Sequence, residues 1–198
     1  MCYVNSTAEV KALSDVCCTS SNAVAIARQL PSDKGIIFVP DKYLGDFVAQ
    51  ETGREMVLWN GFCPTHARIT PALMERARQS HPDALVLIHP EAPRESRTFA
   101  HQVLSTGGMC AFVKNSTARE FIIATEAGIF HTLQKQNPGK TFYSVDASIT
   151  CPNMRKGSIA AVLDSLRGTG GEVIKVPAEI AGKAEHALRK MLEMGGKG

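Results

Sequence analysis

Residues of like chemistry recur in this chain at an offset of 85 to 88 positions, and few folds satisfy such a pattern. Tyr3-Val4-Asn5 precedes Ile88-His89-Pro90 by 85 residues. Ser20-Ser21 precedes Ser105-Thr106, and Pro40-Asp41 precedes Thr125-Glu126, by the same 85. Cys63-Pro64 precedes Cys151-Pro152 by 88. Self-similarity at a fixed offset marks a duplicated structural unit. Within each copy, apolar runs of about five residues alternate with helical patterns, which is the rhythm of parallel α/β architecture.

Strands are expected at Tyr3-Val4, Val16-Cys18, Ile36-Val39, Met56-Trp59, Leu85-His89, Phe121-Ala124 and Thr141-Val145. Helices are expected over 22–30, 42–51, 70–80, 92–102, 127–136, 157–167 and 178–194. Thr70 and Pro71 supply the cap and first position of the third of these. The last begins after Pro177, carries Glu179 in its first turn and is stopped by Gly195-Gly196. The expected organisation is an α/β unit over 1–68, a second over 69–153, and a C-terminal helical segment over 154–198. The matched polar loops all follow strands. Ligands of open parallel sheets bind at the carboxyl ends of strands, so the loops of both halves can face one cleft.

Two of these loops carry Cys-Pro. Proline keeps the preceding residue extended and removes one backbone donor, so Cys63 and Cys151 sit on stiff corners. Such corners suit thiolates aimed at a fixed metal position. A lone cysteine is more often a buried thiol; two at matched places in two repeats shift the balance toward a metal. The chain has six cysteines, at 2, 17, 18, 63, 110 and 151, no C-x-x-C and no secretory leader pattern. That argues against a disulfide framework, a zinc ribbon and a thioredoxin-type pair. Cys17-Cys18 lie in an apolar strand, so at least one of them reads as core, and Cys110 in a helix pattern reads as core too. Cys2 lies at the terminus.

Other groups have two readings each. Thr19-Ser20-Ser21-Asn22 and Ser105-Thr106-Gly107-Gly108 open helices; such turns bind carboxylate or phosphate, or they are ordinary caps. His89-Pro90-Glu91 ends an apolar strand. It reads as an acid/base pair in which burial raises the Glu91 pKa, or as a backbone-bonded histidine beside a helix-start charge. Tyr3 and Asn5 supply a phenol and an amide at the matching loop. His66 is a further metal ligand, a hydrogen-bond donor to a ligand, or a solvated loop histidine.

A net charge of +3 with scattered Lys and Arg gives no nucleic-acid footprint, and acidic small molecules remain open. No apolar run approaches the ~20 residues of a membrane span, so the expected setting is cytoplasmic, without a membrane partner. Met1-Cys2-Tyr3-Val4-Asn5 looks like the end of a strand entering a loop, as if the chain began partway into its protein.

Taken together, several stretches resemble A-type quinolinate synthase. They are residues 3–12, Cys17-Cys18-Thr19-Ser20-Ser21-Asn22-Ala23, Pro40-Asp41-Lys42, Gly61-Phe62-Cys63-Pro64-Thr65-His66, His89-Pro90-Glu91, Ser105-Thr106-Gly107, Gly128-Ile129-Phe130-His131 and Cys151-Pro152-Asn153-Met154. They cover nearly the whole chain and are jointly specific. The resemblance implies three similar α/β/α units around a [4Fe–4S] cluster held by one cysteine per unit. Cys63 and Cys151 would be two of those ligands, residues 1–68 and 69–153 the second and third units, and the third ligand would lie outside this chain in the first unit, toward which the C-terminal helices of 154–198 would pack. No C-x-x-C-x-x-C surrounds Cys151, which matches the short form. The implied activity condenses iminoaspartate with dihydroxyacetone phosphate to quinolinate for NAD biosynthesis, linked to an aspartate-oxidising enzyme. The 198-residue chain alone would then be inactive. Glu91, His89 and Tyr3 would be catalytic. Tyr3, Val4, Asn5, Ser20, His89, Pro90, Glu91, Ser105 and Thr106 would contact substrate. The residues by themselves leave two rivals: a two-domain receptor for a small anion with structural cysteines, and a zinc hydrolase using Cys63 and His66.

Overall fold

The computed structural model describes residues 1–195. Gly196, the second glycine of the expected final stop, lies outside the described residues. The first half runs β1 (Cys2–Tyr3), α1 (Ala8–Ala12), β2 (Cys17–Cys18), α2 (Ala23–Gln29), β3 (Ile36–Phe38), α3 (Lys42–Thr52) and β4 (Met56–Leu58). The second runs α4 (Pro71–Ser80), β5 (Leu85–Ile88), α5 (Arg94–Arg97), β6 (Gln102–Val103), α6 (Thr106–Asn115), β7 (Glu120–Ala124), α7 (Ile129–Gln136) and β8 (Thr141–Ser144). Two further helices close the described chain, α8 (Ile159–Arg167) and α9 (Ala178–Met194).

The duplication read from the sequence is visible in the sheets. In the second half the strand order is β6-β5-β7-β8, all parallel. In the first half β2 pairs with β1 and β3 with β4. A parallel bridge between Cys2 and Val39 joins the two pairs, with the Tyr3 N–H donating to the Val39 carbonyl at 2.8 Å. The first half therefore follows the order β2-β1-β3-β4, the same winding. Short crossover helices between parallel neighbours produce this arrangement.

Side chains alternate across the second sheet as a strand period of two requires. Val86, Ile88, Ile122 and Ala124 meet Met74 and Ala77 of α4 on one face. Leu87, Phe121 and Ile123 meet Met109, Val113 and Leu133 of α6 and α7 on the other. Three layers are thus complete there. In the first half, Phe38, Leu44, Val48, Ile26 and Ala27 form a core with Ala187 and Met191 of α9. The opposite face of β3 and β4 is open: Ile37 is 63% and Val57 67% exposed. Ile122, 85 residues after Ile37, lies fully buried in the same core cluster as Met74 and Ala77 of α4.

Four helix N-termini carry side-chain caps, two of them, Thr70 and Ser105, at positions read as caps from the sequence. Asp41 accepts from the Leu44 N–H at 2.8 Å, Thr70 from Leu73 at 3.4 Å, Ser105 from Gly108 at 3.1 Å and Ser158 from Ala161 at 3.1 Å. The helix expected over 92–102 is corrected. α5 covers only Arg94–Arg97, and the chain then returns as β6. Pairing to β5 wins over helix propagation there. The His101 N–H donates to the Val86 carbonyl at 2.9 Å, and His101 Nδ1 accepts from the Val86 N–H at 2.9 Å. The short α1 was also absent from the sequence reading.

α9 buries Ala184, Ala187 and Met191, spaced three and four apart, and packs on α1, α2 and β2. α8 buries none of its residues. Ile159, Val162, Leu163 and Leu166 on it, and Val173, Ile174 and Val176 after it, are exposed. No helix of the described residues is long and apolar enough to cross a membrane.

Candidate functional site

The two Cys-Pro corners are built alike. Each follows the fourth strand of its sheet and is held from inside by the acidic loop after the third. Asp41 Oδ2 accepts from the Cys63 N–H at 2.8 Å. Glu126 Oε1 accepts from the Cys151 N–H at 3.2 Å. Lys42 N–H donates to the Gly61 carbonyl and Ala127 N–H to the Ile149 carbonyl, at 2.8 and 2.9 Å. A 3₁₀ turn follows each cysteine, His66–Arg68 and Met154–Lys156. The sequence reading noted Asp41 and Glu126 only as matched loop residues. Their shared offset was the signal that they do the same work.

The corners are brought together across the halves. Arg68 donates to the Ser148 carbonyl at 3.0 Å and to Ser148 Oγ at 2.8 Å. The backbone N–H groups of Met154 and Asn153, and less so the Thr65 side chain, hold the Cys151 thiol below the ordinary cysteine range against its partial burial. Cys63 and Cys151 are free and half-buried. Cys2, Cys17 and Cys18 are fully buried in the first core, and Cys110 lies against the second. Cys2 is therefore a strand residue, its thiol donating to the Tyr3 carbonyl at 3.3 Å.

His66 is not a solvated loop residue. Its side chain is 12% exposed. Nδ1 lies 3.3 Å from Cys63 Sγ and 3.0 Å from Glu91 Oε2, and Nε2 lies 2.8 Å from Thr125 Oγ1. The ring stacks on His89 with centroids 4.4 Å apart. Ligand atoms of Cys63, His66 and Glu91 all lie within 4.8 Å of one another. Cys63 comes from the first half, Glu91 and Thr125 from the second.

These contacts set the charges. Burial works against a proton on His66, but hydrogen bonds to Cys63 and Glu91 and the charge of Glu91 outweigh it and lift the ring to about 9. Burial would raise Glu91, as the sequence reading expected. The correction is that the His66 bond, the His89 and His66 charges and a Tyr3 hydrogen bond reverse it, holding the carboxyl at about 2. Burial and the charge of His66 push His89 down to about 4. His89 Nδ1 accepts the Glu91 N–H at 3.3 Å, so its proton sits on Nε2. Burial, then the Glu91 charge, push the Tyr3 phenol upward against the opposing pull of the Ser20 side chain. Burial likewise pushes Asp41 up to about 6.

At neutral pH the site thus offers an ionised Glu91, a neutral His89 that donates through Nε2, and a Tyr3 that keeps its proton. Val4 and Ser20 are half-buried beside Tyr3 in this loop set, Pro90 is buried and Asn5 is exposed. Ser105 is buried with its hydroxyl engaged by Gly108, so it serves as a cap, while Thr106 beside it is exposed.

Residues 1–193 match the family described as Quinolinate synthetase A protein. A quinolinate synthase of Geotalea uraniireducens is 47% identical over 190 residues, covering 96% of this chain and 62% of that protein. One of Caldicellulosiruptor bescii is 48% identical over 196 residues, covering 98% and 64%. One of Methanoregula boonei is 45% identical over 194 residues, with the same 98% and 64%. The chain spans less than two thirds of the length of these curated relatives.

Proposed function

The chain belongs to the quinolinate synthetase A family, and we propose that it carries two of the units that make quinolinate from iminoaspartate and dihydroxyacetone phosphate. The observation that carries this reading is the meeting of Cys63, His66 and Glu91, from two separate sheets, at the carboxyl ends of their strands.

The residues fit the family's [4Fe–4S] cluster. Cys63 and Cys151 are the two thiols on braced corners, and the remaining four cysteines lie in or against the cores. Cys63 and Cys151 would hold the cluster, with a third thiolate from outside residues 1–198. When bound by three thiolates the cluster supplies an open iron as a Lewis acid for a carboxylate or hydroxyl. Glu91 would accept a proton released in the dehydrations and ring closure and return it to the departing hydroxyl, while the His66 ring at 3.0 Å holds its carboxylate in place. His89 donates a hydrogen bond from Nε2 to a substrate oxygen. Tyr3 orients a carboxylate while its partner Glu91 stays ionised. Ser20, Asn5 and Val4 line the first-half side, and Pro90, Ser105 and Thr106 the second, where the N-terminus of α6 favours a phosphate or carboxylate.

The exposed apolar face of α8 and residues 173–176 would dock on the unit that supplies the third thiolate. Iminoaspartate hydrolyses readily, so an aspartate-oxidising enzyme in the same cytoplasm would supply it. Residues 1–198 alone would hold no stable cluster and make no quinolinate.

A second reading, a zinc site on Cys63, His66 and Glu91, is favoured by the 4.8 Å limit among their ligand atoms. Anaerobic purification of the complete protein decides between the two. Iron and sulfide in equal amounts, with quinolinate formed from the two substrates, is the expected result. Zinc in their place would establish the second reading. A colourless, metal-free protein that binds a small dicarboxylate would point to a receptor.

A further inference from the structure

The short helix α5 makes two buried polar ties that lead to the Cys63 corner by separate routes. Arg97, at 5% side-chain exposure, donates through Nη2 to Asp46 Oδ2 on α3, and its guanidinium lies 5.4 Å from the centroid of the Phe47 ring. Arg94 joins from the solvent side, its Nη1 3.5 Å from Asp46 Oδ1. α3 is capped by Asp41, whose carboxylate accepts from the Leu44 and Cys63 N–H groups, each at 2.8 Å. The second route is shorter. Ser96, fully buried, donates to the Ile69 carbonyl at 2.6 Å. The Ile69 N–H closes the turn after Cys63 on the His66 carbonyl at 3.0 Å. α5 starts at Arg94, three residues after Glu91, and the Ala92 N–H donating to the His89 carbonyl at 3.0 Å tightens that connection. One helical turn therefore runs from the Glu91 loop of the second half to both supports of the Cys63 corner in the first.

Two observations mark these ties as more than packing. Arg97 Nε is buried and meets no acceptor among the described residues, so placing the guanidinium there is costly. An apolar pair of similar bulk is often as stable as a buried ion pair, or more so. Nor does the repeat call for these groups. The positions 85 residues earlier are Lys11 and Ala12 of α1, a helix that buries none of its residues. Ser96 and Arg97 occur where the halves meet.

We propose that Arg97 and Ser96 are positioning residues that fix the Cys63 corner against Glu91, acting through Asp46 and Ile69. The inference rests on the reading of Cys63 as a cluster ligand and Glu91 as the proton acceptor. A substrate held between a ligated metal and a base reacts only when both are in register with it, and a displacement of about 1 Å can cost about 100-fold in rate. Cys63 and Glu91 stand on different sheets, so that register depends on what ties the halves together.

The test uses the complete, cluster-loaded protein. Asp46→Leu combined with Arg97→Met replaces the ion pair by apolar groups. Ser96→Ala removes the second tie, and Arg97→Lys keeps a cation within reach of Asp46. The readouts are kcat and KM, iron and sulfide content, melting temperature, and amide hydrogen exchange over residues 61–69. The double variant should melt at or above the parent temperature and hold its iron. Its kcat should nevertheless fall about 10-fold to 100-fold, with KM changed less and exchange over 61–69 faster. Ser96→Ala should show the same pattern to a smaller degree, and Arg97→Lys should recover most of the lost kcat. Loss of iron in a double variant that melts like the parent also supports the proposal, since the Cys63 corner has then moved. Parent-like kcat and exchange in the double variant overturn it. A lowered melting temperature with a kcat that recovers on cooling overturns it too, because the pair then serves stability alone. Where the double variant does not fold, Ser96→Ala decides, and unchanged kcat and exchange there overturn the proposal. A parent protein without iron or without quinolinate formation overturns instead the reading of Cys63 and Glu91 on which it rests.

Discussion

Replacing Glu91 by Gln keeps the shape of the side chain and deletes its charge. The carboxylate accepts from His66 Nδ1 at 3.0 Å, at 6% side-chain exposure. A hydrogen bond to a charged group contributes about 1.5–3 kcal/mol. The amide keeps one acceptor oxygen, so Glu91→Gln should cost about 2 kcal/mol. The pH dependence follows from the two shifts. The Glu91 carboxyl is held down at about 2. Its contribution is present above the ordinary value of 4.5 and is lost as pH falls through about 2. His66 is lifted to about 9. Its contribution is complete below the ordinary 6.5 and is lost as pH rises through about 9. The advantage of the parent over the variant is thus full between pH 4.5 and 6.5 and shrinks on either side. With a urea slope of about 2 kcal/mol per molar, the midpoint should drop by about 1 M in that window. Turnover in the complete protein should fall about 100-fold, as for a positioned proton-transfer group, with iron content unchanged. A midpoint difference that is flat with pH, together with near-parent turnover, would reduce Glu91 to a helix-start charge and refute the reasoning.

Three further outcomes are expected. Asp46→Ala strands the Arg97 guanidinium, which is 5% exposed and bonded to Asp46, and should cost about 3 kcal/mol by thermal or urea melting; adding Arg97→Met should recover part of it, and no recovery would contradict the charge argument. Gly45→Ala places a Cβ 2.6 Å from Leu58 Cδ2 and 2.8 Å from Cδ1 of the fully buried Phe38, so crowding of about 1–3 kcal/mol should exceed the helix gain of about 1 kcal/mol, and a raised Tm would refute it. Cys63→Ala and Cys151→Ala should each abolish iron retention in the complete protein while Cys110→Ala keeps it; iron surviving either of the first two would remove that cysteine from the ligand set.

Much of the fold was legible because its signals are local. Thr70 and Ser105 stand where caps belong, and the apolar runs of β5 and β7 leave little else for those segments to be. The error at 92–102 arose where a local pattern lost to a distant partner. His101 reads as helical until the Val86 backbone is beside it. The offset of 85 located the site loops, since duplicated loops place like residues at like strand ends. What it could not convey is how the copies face one another. Arg68 to Ser148 and His66 to Glu91 and Thr125 are contacts between halves, and no spacing within one copy encodes them. The charge state of Glu91 was misjudged for the same reason. Burial is foreseeable from an apolar strand, but the protonated ring opposite belongs to the other copy.

The packing of α9 has a consequence for synthesis. Ala187 and Met191 belong to the same core cluster as Met1, Cys2, Cys18 and Phe38, so the half made first cannot close its interior until the last helix has been translated. The clusters of the second half draw on residues from Ile69 to Ile149 alone. Units usually mature in the order in which they leave the ribosome. Here the order inverts: the later half can settle while the earlier one waits, its buried cysteines and apolar strands still open to solvent and to neighbouring nascent chains. A ribosome stalled shortly before Ala178 would therefore hold a protease-resistant second half joined to a protease-sensitive first half.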